Sequence, residues 1–269
     1  MPDTISLDIT DRMQAVKDGP IGWMVFNNPA RRNAVSVGMW QAIPKILDVF
    51  EADPDIRVIV LKGAGDKAFI SGADISEFEE QRSSSEAVQR YEETAEEAGR
   101  RLVLSPKPTI AMIHGFCFGG GVGTALNCDL RIADDSARFA VPAARLGLGY
   151  RMSGVKRLMD VVGPAFTKEI FFTARPFNAA EALAMGLVNR VVPDAELDNY
   201  VRGYCATIAD NAPLTMLALK RTVAEVLKAG PQVDRAACEE WVRQCFASED
   251  YVEGRKAFME KRKPTFKGR

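Results

Sequence analysis

Gly115-Phe116-Cys117-Phe118-Gly119-Gly120-Gly121-Val122-Gly123 lies between an apolar run, Ile110 to Ile113, and the small-residue pattern Thr124-Ala125-Leu126. It reads as a strand, a tight glycine turn and the start of a helix. Glycine admits positive φ and lets a ligand atom approach the peptide N–H groups closely. The first N–H groups of a helix have no carbonyl partner and sit at the positive end of the macrodipole, so this turn suits an anion. A turn chosen only for packing is the alternative for such a run taken alone. A second stretch, Gly65-Asp66-Lys67-Ala68-Phe69-Ile70-Ser71-Gly72-Ala73-Asp74-Ile75, also follows a buried strand. By itself it would be one more strand-to-helix connection.

Other reactive side chains are few. His114 is the only histidine, so any Ser-His-Asp, Cys-His or multi-histidine metal chemistry would have to pass through it. Beside a glycine at a strand end, it reads as structural. Five cysteines, Cys117, Cys128, Cys205, Cys238 and Cys245, lack the paired spacing of a zinc site or a disulfide framework. Free thiols fit best, and no metal is expected.

The elements that must position the two loops follow from the pattern along the chain. With 269 residues, 47% of them hydrophobic, the chain can bury a substantial core. A net charge of −1 argues against nucleic acid as the main partner, although a small anion needs only a few local cations. No basic, apolar leader opens the sequence and no apolar run reaches the ~18 residues of a membrane span, so a cytoplasmic protein with no membrane partner is expected.

Ile5–Ile9, Gln14–Lys17 and Ile21–Phe26 read as strands, and Pro29 to Ala34 as a polar loop. Ser36 could cap a helix with the stripe Met39, Trp40, Ile43, Ile46, Leu47 and Phe50, which Pro44 would kink or break. Ile56 to Leu61 is a buried strand. Charged residues from about Glu77 to Arg101 make a solvated helix, with Ser83 to Glu86 as its lead-in.

Asp129–Ala133 and Arg138–Val141 read as two more strands. Helices follow over Ser153–Val162, Ala165–Thr173 and Ala179–Met185, then a strand over Leu187–Val192, and beyond it the pattern is all helical, with Gly230-Pro231 dividing two helices. The division is an α/β core over residues 1–192 and a helical region over 193–269, whose unburied apolar faces suggest a homo-oligomer.

The order and spacing of the two loops, with Pro29 to Ala34, resemble the enoyl-CoA hydratase/isomerase, or crotonase, family. The resemblance continues through Asn127–Ala133, Thr173-Ala174-Arg175, Ala180–Val188 and Phe258–Pro264. It implies a crotonase-like spiral of ββα units, a helical C-terminal trimerisation region, trimers or dimers of trimers, and a coenzyme A thioester as substrate with no further cofactor. It also implies that the N–H groups of Ala73 and Gly120 hold the thioester oxygen, with Gly72, Asp74, Ile75 and Gly119 beside them. Arg31 or Arg32 and Lys67 would hold the phosphates of coenzyme A, and Phe258 and Lys261 would reach the nucleotide of a neighbouring protomer.

The chain departs from the family's hydratases at both catalytic glutamates, whose positions are Gly123 and Ala143. Neither can transfer a proton, so ordinary hydration lacks its acid and base. Pro142 to Arg151, Ser248 to Tyr251 and Lys261 to Pro264 look like the methylmalonyl-CoA decarboxylase branch, in which Tyr150 would face a substrate carboxylate with Arg145 or Arg151 beside it. Ala73 departs from that branch, which has histidine there. Loss of CO2 would generate an enolate without a base. The alternatives are a hydratase or isomerase using another acid/base such as Tyr150, and a non-catalytic acyl-CoA-binding scaffold.

Overall fold

The computed structural model describes residues 2–74, 85–228 and 232–269. Short strands dominate the first two thirds: β1 (Asp3–Ile5), β2 (Met13–Asp18), β3 (Ile21–Phe26), β4 (Val58–Gly63), β5 (Ala68–Ile70), β6 (Thr109–Ile113), β7 (Phe116–Phe118), β8 (Leu130–Asp134), β9 (Arg138–Ala140), β10 (Phe177–Asn178) and β11 (Arg190–Val192). The helices are α1 (Val37–Ala52), α2 (Ser85–Leu104), α3 (Gly120–Leu126), α4 (Met152–Thr173), α5 (Ala179–Ala184), α6 (Leu197–Ala209), α7 (Pro213–Val226), α8 (Arg235–Ala247) and α9 (Glu249–Glu260). No helix among the described residues is long and apolar enough to cross a membrane.

Seven strands form one sheet in the order β1-β2-β3-β4-β6-β8-β11, and four form a second in the order β10-β9-β7-β5. From β3 to β11 the large sheet is parallel. Its strands alternate strictly between two cores. Met24, Phe26, Ile59, Leu61, Ala111 and Ile113 face the core shared with α1 and the small sheet. Trp23, Val25, Val58, Val60, Ile110 and Met112 face a second core closed by Leu197, Val201 and Cys205 of α6. Burial on both faces explains why these strands are continuous apolar runs rather than alternating ones. It also places α6, from the helical region after residue 192, directly on the core sheet.

Several sequence expectations change. β1 ends at Ile5, and Leu7 and Ile9 pack on the core outside the sheet, where the Ile9 N–H donates to the Leu7 carbonyl at 2.9 Å. Pro44 does not break α1, which runs through it with apolar contacts buried on both sides of the proline. Those contacts outweigh the ~3 kcal/mol a mid-helix proline costs. The strand expected over Leu187–Val192 is paired only from Arg190, since Leu187 and Val188 donate back to the Ala182 carbonyl at the end of α5. The two helices read from the sequence are the two arms of α4, joined at a kink where Gly163, φ 76°, leaves the helical conformation before Pro164. The start of the charged helix near Glu77, its lead-in at Ser83 and Ser84, and the Gly230-Pro231 break lie outside the described residues.

Candidate acyl-thioester site

The glycine turn contains more structure than a simple strand-to-helix connection. β6 ends at Ile113, and the chain then enters the small sheet as β7, Phe116–Phe118, before Gly119 turns it into α3. The reason lies at Gly115, whose φ is 56° and where a Cβ would meet the Lys67 carbonyl oxygen at 2.1 Å. Only glycine allows that close crossing, which lets Phe116 donate to Lys67 O at 3.1 Å and pair β7 with β5. Gly119 (φ 51°) makes the second turn, its N–H donating to Ala140 O at 2.8 Å. Gly121 is fixed by packing, since a Cβ there would lie 2.2 Å from Ile70 O.

Ala73 lies on the facing segment. It pairs with Val35 as an isolated parallel bridge, in which Val35 N–H donates to Gly72 O at 2.8 Å and Asp74 N–H donates to Val35 O at 3.0 Å. In such a bridge the N–H of the middle residue points to the other side of the strand. Accordingly the Ala73 N–H has no partner among the described residues, and neither does the N–H of Gly120, the first residue of α3. The two segments abut: a Cβ on Gly119 would be 4.0 Å from Gly72 Cα, and one on Gly120 would be 4.0 Å from the Gly72 carbonyl carbon, to which Ala73 N is bonded. Two unpartnered donors on adjacent peptides suit one oxygen that gains negative charge. Trp40 backs this point, 3.6 Å from the position of a Gly120 Cβ, with its indole N–H donated to the Tyr91 hydroxyl at 3.1 Å.

Asp74 is buried, with its carboxylate 3.3 Å from the Arg12 guanidinium, which marks it as a structural ion pair beside the site. Ile75 lies outside the described residues. Asn33, also at positive φ (56°), ties the two flanking loops together: its amide donates to Ala64 O at 2.9 Å and Ala68 O at 2.7 Å, and its oxygen accepts from Asn28 N–H at 2.9 Å. Beside that knot is a polar cavity of about 180 Å³ lined by Arg32, Asp66 and Lys67. Arg32 stacks 5.0 Å above the Phe116 ring, whereas Arg31 does not line this cavity.

A second cavity, of about 80 Å³, opens on the inner side of the glycine turn between α3 and α4. Gly119, Gly123 and Asn127 line one wall, and Tyr150, Arg157 and Phe171 the other. A Cβ on Gly123 would meet nothing within 4 Å, so the absent carboxylate leaves free space. Ala143 is buried in the short 3-10 turn Pro142–Leu146. Tyr150 sits edge-on to Phe171 at 4.8 Å, and burial pushes its hydroxyl pKa up, keeping a neutral phenol at pH 7. Arg145 is exposed and Arg151 is held by Glu92 and Glu96 of α2 at 2.6 and 3.2 Å, so neither arginine lines the cavity.

The cationic side chain that does line the cavity is Arg157, which donates to the Asn127 side-chain oxygen. Its signal in the sequence is faint, one arginine among other charged residues in the helix expected over Ser153–Val162. His114 is buried, and desolvation lowers its pKa, leaving it neutral; it lines none of these cavities. The described residues include no cluster of three or more metal-ligating side chains.

Phe258 and Lys261 line neither of these cavities. Phe258 is 82% exposed at the end of α9 and lines an apolar groove of about 750 Å³ among α7, α8 and α9, while Lys261 closes α9 in the left-handed conformation.

A family model described as enoyl-CoA hydratase/isomerase matches residues 17–269. A short-chain-enoyl-CoA hydratase of Clostridium acetobutylicum is 35% identical over 247 residues, covering 92% of this chain and 94% of that protein. A carnitinyl-CoA dehydratase of Proteus mirabilis is 35% identical over 269 residues, covering 98% and 99%. Among solved structures, an enoyl-CoA hydratase/carnithine racemase from Magnetospirillum magneticum superposes with a TM-score of 0.92 at 36% identity, over 97% of each chain.

Proposed function

Because the chain belongs to the enoyl-CoA hydratase/isomerase family, we propose that it binds an acyl-CoA thioester and stabilises that thioester's enolate with the N–H groups of Ala73 and Gly120. The observation that carries this reading is the pair of unpartnered donors on abutting peptides. Negative charge grows on the thioester oxygen as the α-carbon becomes carbanion-like, and fixed donors then stabilise the transition state more than the bound ground state. Arg32 and Lys67, at the polar cavity, supply a bidentate fork and a point charge for the phosphates of coenzyme A.

Chemistry without a protein carboxylate at positions 123 and 143 favours the loss of CO2 from a malonyl-type thioester. The bond between the α-carbon and the carboxylate breaks, its electron pair becomes the enolate, CO2 departs, and water gives the α-carbon its proton and is left as hydroxide. No base takes part, which is what Gly123 and Ala143 require. A second reading, hydration or dehydration of an enoyl thioester, is favoured by the names of the curated relatives. It would need another acid/base such as Tyr150, and a phenol with a raised pKa is a poor base at pH 7.

The deciding experiment measures CO2 released from malonyl-, methylmalonyl- and ethylmalonyl-CoA alongside the absorbance of crotonyl-CoA. Release of CO2 with steady crotonyl-CoA absorbance supports the first reading. Falling absorbance alone supports the second. Binding without turnover across the panel would identify an acyl-CoA-binding scaffold. Assembly into trimers or dimers of trimers, cytoplasmic location and a neighbour's use of Phe258 and Lys261 belong to the same proposal.

A further inference from the structure

We infer that Trp40, pinned through its indole N–H by Tyr91, is a positioning residue that fixes where the N–H groups of Ala73 and Gly120 stand relative to each other. This rests on the oxyanion reading and deepens it. The pairing of β5 with β7 brings the two segments side by side, but it ends at Ile70 and Cys117, short of both donors. Beyond that point α1 and its lead-in touch both segments. Val35, just before the N-cap Ser36, holds the Ala73 segment from one side: its N–H donates to Gly72 O at 2.8 Å and its carbonyl accepts from Asp74 N–H at 3.0 Å. Trp40, in the first turn of α1, lays its ring against Gly120. The point that a Gly120 Cβ would occupy lies 3.6 Å from Trp40 Cζ2, 4.0 Å from Trp40 Cη2 and 4.0 Å from the Gly72 carbonyl carbon. The indole edge, the start of α3 and the Gly72–Ala73 peptide therefore meet in one place.

The hydrogen bond to Tyr91 decides how that edge lies. Nε1 and Cζ2 are bonded to the same ring carbon, so the 3.1 Å bond to the Tyr91 hydroxyl and the contact with Gly120 use one side of the indole. Trp40 is buried and Tyr91 is half-buried against the same core. A buried indole N–H needs an acceptor, and meeting that need from α2 sets the tilt of the ring. Donors stabilise an oxyanion only where its charge develops, and small displacements forfeit much of the effect. A smaller ring at position 40 leaves space beneath Gly120 into which the start of α3 can settle, drawing its N–H away from that of Ala73.

Difference infrared spectra of the full chain with butyryl-CoA, isotopically labelled at the thioester carbonyl, test the inference alongside calorimetry with coenzyme A. In the unaltered chain the carbonyl stretch moves to lower wavenumber on binding, because two donors polarise the C=O bond. Trp40→Phe keeps an apolar ring but lacks the N–H and the outer edge. It loses about half of that shift or more, as displacement of one donor of two implies, while affinity for coenzyme A stays within about twofold. Tyr91→Phe removes only a hydroxyl, so it serves where Trp40→Phe fails to fold, and it loses a smaller part of the shift. Ile46→Val, a core change further along α1, lowers the melting temperature and leaves the shift in place, which separates positioning from a general loosening of the helix. A full shift in folded Trp40→Phe or in Tyr91→Phe, or an equal loss in Ile46→Val, overturns the inference alone. No shift in the unaltered chain with butyryl-CoA bound overturns the oxyanion reading, and no binding of coenzyme A overturns the acyl-CoA reading; the inference falls with either.

Discussion

Gly121 and Gly123 occupy the same seven-residue helix for opposite reasons. At Gly121 a methyl group would collide with the Ile70 carbonyl at 2.2 Å, whereas at Gly123 it would enter open space. Gly121→Ala should therefore destabilise by about 3 kcal/mol through overpacking, while Gly123→Ala should stabilise by up to about 1 kcal/mol through helix propensity. Urea unfolding of both variants checks the contrast. The sequence shows that glycine is present at both positions but not which one is required by sterics, because that depends on a strand fifty residues away. The thiols separate similarly. Burial pushes Cys128 and Cys205 up to about 12 and Cys117 higher still, so at pH 8 none of the three supplies much thiolate. Cys238, which is less buried and does not line the groove among α7, α8 and α9, should be alkylated by iodoacetamide in the folded protein while these three are not, as mass spectrometry of the labelled peptides would show.

The elements that build the site are two loops and a one-residue bridge. Asn33 holds the loops through three hydrogen bonds in a left-handed backbone conformation that asparagine tolerates better than most residues. Asn33→Ala leaves the Ala68 carbonyl buried without its side-chain partner and should cost about 3 kcal/mol. It should also weaken coenzyme A binding, because Arg32 and Lys67 lie on the two segments it joins; thermal melts and calorimetry on one preparation test both effects. The sequence identified these loops by composition and order. It did not reveal that β5 and β7 are strands, since their three residues each lie inside the two glycine-bearing loops and show no period of their own. Nor did it indicate that Arg151 would be held by Glu92 and Glu96, leaving Arg157 to line the cavity. That exchange depends on how α2 and α4 pack, and both arginines look alike in a linear reading.

At the scale of the whole molecule, the large parallel strands and α1 were legible because they are long apolar runs or stripes. The boundary near residue 192 is less sharp in space, since α6 completes the second core. Beyond α6, the apolar groove among α7, α8 and α9 has Leu219, Phe246 and Phe258 exposed along it by 59 to 82%. A contiguous apolar surface of that kind marks an interaction site. If it is the subunit contact that the family resemblance implies, sedimentation equilibrium should give a mass that is a multiple of three 29.5 kDa protomers, and Leu219→Glu should dissociate the assembly. A monomeric mass would remove the proposed role of a neighbour's Phe258 and Lys261.

The central claim is the oxyanion pair, because every chemical reading of the site depends on it. Its most direct measurement is a crystal structure with an unreactive acyl-CoA analogue that retains the carbonyl. The account predicts the carbonyl oxygen within about 3.1 Å of the backbone nitrogens of both Ala73 and Gly120. A carbonyl oxygen bonded to neither, with the acyl group bound elsewhere, would contradict it.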